Sequence, residues 1–202
     1  ERLLSALMES TAKCYDGVAL WSASHKVGKS GATQSNDITV SGMVAPDAPA
    51  SDKMSGAILA GVKQLLGMLD DRGDPMNQDA KRFVLVTPLK YWDSSVAALK
   101  NTFTSAGVNN TLLNADVTIT PVTNVCLAGT GDAAGRRIYL FREDAEVLPF
   151  ITQDEVIPDA FKSQDAYSET AFWQEKLAWG SKRITTVAPG RFELAVRVNL
   201  AA

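Results

Sequence analysis

Apolar residues recur at helical intervals in three stretches of the chain and at strand-like intervals through most of the rest. Leu3, Leu4, Leu7 and Met8 share one helical stripe, which predicts the end of an amphipathic helix in residues 1–14. Met54, Ile58, Leu59, Val62, Leu65, Leu66 and Leu69 follow an i, i+4, i+7 rhythm and predict a long helix over 51–69 with Ser51 as N-cap. Gly56, Gly61 and Gly67 each lower its helix propensity by about 1 kcal/mol relative to alanine, so close packing against a neighbour has to hold it. Gly73 and Pro75 punctuate the DDRGDP run: the glycine suits a left-handed residue at the helix end, and the proline keeps the helix from resuming.

Elsewhere the period shortens. Residues 18–21 and 38–44 read as strands on either side of the polar stretch HKVGKSGATQSND, expected to be an exposed loop because so little of it can be buried. Residues 83–86 predict a buried strand stopped by Pro88, and Asp93 caps a helix through Phe103. Further strands are predicted at 117–120, 125–128, 137–142 and 147–151. In 172–202 a turn at Ala188, Pro189 and Gly190 separates strands. Beyond it Arg191, Glu193, Ala195, Arg197 and Asn199 alternate with Phe192, Leu194, Val196, Val198 and Leu200, predicting one wet and one dry face. There is no internal repeat, and segregated helices with antiparallel-looking strands indicate an α+β fold.

Composition narrows the function. With 46% hydrophobic and 21% charged residues over 202 positions, the chain is neither disordered nor fibrous. Twenty basic against 23 acidic residues leave a net charge of −3, which argues against a protein whose main task is gripping nucleic acid. No apolar run is long enough to span a bilayer and no secretion signal opens the chain, so a soluble protein without a membrane partner is expected. The chain begins with Glu1, which reads as a processed or truncated end. Cys14 and Cys126 fit no C-x-x-C pattern and read as free thiols of a reducing compartment.

Candidate chemistry is sparse. The single histidine, His25, lies beside Ser22 and Ser24, but no G-x-S-x-G turn accompanies them. One histidine cannot build a multi-histidine zinc site, and Asp70, Asp71, Asp74 and Asp79 miss the calcium-loop spacing. Gly129, Gly131 and Gly135 precede RRIYLF, a strand pattern where a dinucleotide site needs a helix, so a glycine-rich hairpin is expected. The Arg72-Gly73-Asp74 tripeptide is explained by its turn. No catalytic, metal or cofactor residue is assigned. What remains is an arm from which His25, Lys26 and Lys29 project, either a solvated ornament or a device for reaching another subunit, with Trp21 at its base. Trp92, Trp173 and Trp179 add aromatic anchors of the kind interfaces favour.

Three segments, in this order, resemble the major head (capsid) proteins of tailed bacteriophages, particularly the head-subunit family of Mu-like phages and prophages. DGVALWSASH (16–25) is similar to that family's D-G-x-x-L-[FW]-S-x-x-H segment; DDRGDPMNQDAKRFVLVTPL (70–89) is similar to its D-x-x-G-x-P-x-N block leading into a strand; the third is WGSKRITTVAPGRFELAVRV (179–198). The resemblance implies the HK97-like coat fold. In its terms residues 1–14 end an N-terminal helix or arm, 15–49 form the E-loop, and 50–111 form the peripheral domain with 51–69 as spine helix. Residues 112–170 are then the axial domain, and 171–202 return to the peripheral domain. Inter-subunit contact then falls to Trp21, His25, Lys26 and Lys29 of the E-loop, and Gly73 and Pro75 make a structural turn.

The function implied is self-assembly through hexamers and pentamers into an icosahedral head. It would enclose double-stranded DNA, contacted non-specifically, with portal, scaffold or decoration proteins as partners. Its place would be the virion, and the host cytoplasm during assembly. No enzyme activity and no cofactor is implied, and the lysine crosslinking of some relatives is not carried over to Lys26 or Lys29. A cellular cage of the encapsulin type is the rival within the fold. A small serine hydrolase using Ser24 and His25 is the rival from another class.

Overall fold

A computed structural model describes residues 2–9, 11–27, 31–42, 49–103, 107, 109, 110, 112, 116–127, 136–163 and 178–201. In chain order the elements are α1 (Arg2–Glu9), β1 (His25–Val27), β2 (Ala32–Gln34), β3 (Asp37–Val40), α2 (Ser51–Leu66), β4 (Arg82–Thr87), α3 (Trp92–Lys100), β5 (Thr118–Thr123), β6 (Arg137–Arg142), β7 (Phe150–Ser163), β8 (Ala178–Pro189) and β9 (Ala195–Leu200). They form two units, one of residues 1–150 with 189–202 and one of residues 151–188. This division does not coincide with the limits at 111 and 170 set by the resemblance.

The first unit is built on a five-stranded sheet in the order β3-β9-β6-β4-β5. β3 runs parallel to β9 and β4 parallel to β5, while β6 is antiparallel to both of its neighbours. On one face lie Phe83, Leu85, Ile138, Leu140, Val196 and Val198, packed under α2 through Met54, Ile58, Val62 and Leu65. Fully burying a side chain of this kind stabilises by about 1.5–3 kcal/mol. Gly61 is where α2 comes closest: a Cβ there would lie 2.2 Å from Leu140 Cδ1 and 3.0 Å from Val198 Cγ2. The expected need for close packing is met at Gly61, whereas Gly56 faces open space.

The other face is covered as well. Tyr139, Phe141, Val86 and Ala195 are buried there against Met8, Leu20, Trp21 and Phe192. The expectation of one wet and one dry face is therefore corrected, since Glu193 and Ala195 are both buried. β6 lies mid-sheet between two covers, so IYLF (138–141) reads as a continuous apolar run and not an alternating one.

Several boundaries differ from expectation. α2 stops at Leu66, short of Leu69, and its end residue Gly67 has φ −86°, so no left-handed glycine closes it. The Gly67 and Met68 N–H groups bond back to the Lys63 and Leu65 carbonyls, and fully buried Asn77 adds to this end, donating from Nδ2 to the Leu65 carbonyl and to the Glu193 carbonyl, each at 2.8 Å. Ala50 holds the N-cap position instead of Ser51, without a side-chain bond. The strand expected at 125–128 is a 3-10 turn at Val125–Leu127, because Asn124 Oδ1 accepts the Cys126 N–H at 2.9 Å and draws the chain into a turn. Strand structure expected from 147 begins only at Phe150.

Candidate assembly site

The 15–49 segment was the sequence's candidate arm, and its described residues fold into the first unit instead. β3 lengthens the main sheet beside β9, and β1 pairs antiparallel with β2 in a small hairpin. Along β1 the side chains alternate, with His25 and Val27 buried and Lys26 exposed. His25 is 0% exposed. Its Nδ1 lies 2.7 Å from Asp16 Oδ2 and its Nε2 lies 3.1 Å from the Leu20 carbonyl. Both partners are acceptors, so both bonds form together only when both ring nitrogens carry protons. The Leu20 carbonyl also accepts Asn36 Nδ2 at 2.6 Å, and Asn36 Oδ1 accepts the Ser22 N–H at 3.0 Å.

An aromatic column continues from this knot. The imidazole stacks on Phe192 with centroids 3.9 Å apart, and Tyr15 stacks on Phe192 at 5.5 Å. Tyr15 donates to Glu193 Oε1 at 2.5 Å; burial first, and then this bond, push its hydroxyl above the ordinary tyrosine range. Burial, followed by the carboxylates of Asp16 and Glu193, pushes the Cys14 thiol up to about 12. Such a thiol is not a nucleophile at neutral pH. His25 has no nitrogen free for Ser22 or Ser24, whose hydroxyls lie 3.0 Å from each other.

The expectation that Trp21 and His25 stand on an exposed arm is thus corrected. Trp21 is buried beside Tyr139 and Phe141, donates from Nε1 to the Met8 carbonyl at 2.7 Å, and lies under the Arg197 guanidinium. The physical reason lies in these two side chains and not in the whole stretch: Asp16 and the Leu20 carbonyl take the His25 nitrogens and the Met8 carbonyl takes the Trp21 indole N–H, so both rings are buried without orphaned groups while 31–33 stay exposed. Lys26 is exposed as expected, while Lys29, Trp173 and Gly129, Gly131 and Gly135 lie outside the described residues, as does the side chain of Trp179.

Gly73 has φ +90° in an exposed turn, where Asp70 Oδ1 accepts the N–H groups of Arg72 and Asp74 at 2.8 and 2.9 Å. Those backbone bonds, Asp74's first, hold the Asp70 carboxyl below the usual carboxylate range. Pro75 closes the turn opposite Leu69, so the pair shapes a loop beyond the helix and not the helix end itself. Among the described residues no group of three potential ligands could hold a metal ion.

Sequence reasoning missed the group that anchors this loop. Arg142 is 7% exposed and donates to Asp144 Oδ1 (2.7 Å), Asn77 Oδ1 (3.0 Å), Asp79 Oδ1 (2.9 Å) and the Met76 carbonyl (3.3 Å). Its position in an apolar strand was the only available signal. Also missed was the second unit, in which β7 and β8 make a two-stranded sheet with Arg183 Nη2 and Thr185 Oγ1 both donating to Asp154.

Solvent-facing apolar residues suggest where contacts could form. Leu3, Leu89, Val122 and Val125 are between 42% and 64% exposed. Asn124, between Val122 and Val125, donates to Ser5 Oγ of α1, the helix of Leu3, and to the Thr87 carbonyl, two residues before Leu89.

No protein-family model matches the chain, and no curated protein matches it. Solved structures do. The chain is similar to a subunit of the mature capsid of bacteriophage PhiM1 at 12% identity and TM-score 0.59, over 98% of this chain and 58% of that one. It is similar to a subunit of the capsid of cyanophage P-SCSP1u at 11% identity and TM-score 0.56, over 99% of this chain and 59% of that one. The chain thus has a phage-capsid-like fold and spans somewhat under three fifths of the length of these subunits.

Proposed function

We propose that the chain is the wall-forming part of a phage major capsid protein, of HK97-like type and akin to the head subunits of Mu-like phages, with α2 as its spine helix. The observation that carries this reading is the capsid-like fold over nearly the whole chain. Copies join through heterologous contacts into hexamers and pentamers, and many weak contacts close a shell around double-stranded DNA. The charge supports containment: at −3 per copy the wall does not grip the duplex, whose counterion-covered phosphates would otherwise hold a basic surface tightly. The role is structural and not enzymatic, in the virion and, during assembly, in the host cytoplasm. Portal, scaffold or decoration proteins would complete the particle.

Purified protein taken through a series of concentrations and salt levels, and followed by light scattering and negative-stain microscopy, tests this reading. Closed particles of uniform diameter are expected. A folded monomer under every condition would contradict it.

A further inference from the structure

The unit of residues 151–188 presents a sheet of only two strands, β7 with 14 residues and β8 with 12. Among the described residues no third strand joins either of its edges. Each edge therefore offers backbone N–H and C=O groups to another chain. Two-stranded ribbons of this kind are at best marginally stable alone, so an added strand is worth more here than on the five-stranded sheet. β8 has no proline before its last residue, Pro189, and the β-branched run Ile184, Thr185, Thr186 and Val187 lies at its centre, so its only edge protection is the charge of Lys182 and Arg183, which an oppositely charged strand would neutralise.

The two strands also carry opposite charge. Asp154 and Glu155 are exposed on β7, Lys182 and Arg183 on β8. Asp154 and Arg183 are bonded to each other within the ribbon, with Nη2 3.0 Å from Oδ1 and 3.2 Å from Oδ2. Glu155 and Lys182 are one residue removed along their strands, hence on the opposite face, and neither pairs with a described residue. A basic edge and an acidic edge on one ribbon are complementary between copies and repulsive to their own kind.

We propose that β8 of one copy pairs edge to edge with β7 of the next, Lys182 meeting Glu155, as one of the heterologous contacts of the shell. The occupant of each edge is a second copy of this chain. The inference rests on the shell reading above and adds the surface that would join neighbours. The contact is head-to-tail, so it closes a ring or propagates and does not stop at a dimer.

The test uses the intact chain with Lys182→Glu and Glu155→Lys, each first checked for an unchanged circular dichroism spectrum and melting temperature. Each variant alone places like charges across the contact and should raise the concentration for half-assembly by about tenfold. Mixed one to one, the two variants restore opposite charges at every junction of an alternating six-membered ring and at all but one junction of a five-membered ring, and should recover most of the assembly that each lacks alone. That rescue in trans separates a contact between copies from a pair within one ribbon, which mixing cannot repair. If the wild type assembles and the variants match it, or their mixture stays defective, the edge contact is wrong and the shell reading stands. If the wild type itself never assembles, the shell reading fails and takes the contact with it.

Discussion

The imidazole of His25 lies 3.9 Å above the ring of Phe192 and within 8° of parallel to it, in a site with no access to solvent. The partners nine residues before it and 167 residues after it fix the one histidine of the chain from both directions in sequence. His25→Phe keeps a flat ring there but leaves the Asp16 carboxyl without its hydrogen-bond partner. Leaving a buried acceptor unsatisfied costs about 1–3 kcal/mol, and replacing both partners recovers much of it. His25→Phe should therefore lower the urea midpoint markedly, and Asp16→Asn in the same chain should recover part of the loss. An unchanged midpoint for the single variant would contradict the burial.

Gly61 and Gly56 sit in the same helix and should respond oppositely to alanine. At Gly61 the added methyl would meet Leu140 and Val198, and overpacking a core costs about 1–3 kcal/mol. At Gly56 it meets nothing within 4 Å, so alanine should stabilise by roughly 0.5–1 kcal/mol. Denaturant unfolding of the two variants checks the sign of each.

Asp37 gives the fold a pH dependence of known sign. Partial burial pushes its carboxyl up, but the bonds from Arg197 Nε (2.9 Å) and Nη2 (2.5 Å) and from Asn199 Nδ2 (2.6 Å) outweigh this and hold it below the usual carboxylate range. Its folded value being the lower one, its contribution is complete above the unfolded carboxylate range and disappears as pH falls through the folded value. The difference in unfolding free energy between wild type and Asp37→Asn should thus be larger at pH 7 than at pH 3. A difference that does not change with pH would contradict the assignment.

The two thiols should differ sharply. Cys126 is exposed and Cys14 is buried with its thiol raised to about 12. A thiol reagent at neutral pH should label Cys126 within the native protein and reach Cys14 only on unfolding, as read by mass spectrometry of the digested protein. Equal rates at the two positions would show that Cys14 is open to solvent.

What was legible in the sequence were the elements whose pattern is local. Met54, Ile58, Val62 and Leu65 announce α2 and its buried face, and the strands at 82–87 and 137–142 stand where apolar runs predict them. What was hidden depends on partners distant in sequence. A polar stretch reads as exposed unless Asp16 and Asn36 are known to return to His25 and Leu20, and nothing local says that Arg142 reaches back to Asn77. The end of α2 is likewise set in part by a side chain 12 residues beyond Leu65, since Asn77 bonds the Leu65 carbonyl. The exposure expected of Trp21 and His25 in the 15–49 stretch is absent because both side chains are buried in the core of the chain itself.

The claim that this fold builds a shell is tested most directly by cryo-electron microscopy of particles assembled from the chain. Closed shells are expected whose wall repeats one subunit, with the sheet β3-β9-β6-β4-β5 under α2 recognisable in each copy and neighbours related by rotation about five- and six-fold positions. A protein that stays monomeric while folded as described, or particles whose wall density does not accommodate that sheet and helix, would contradict it.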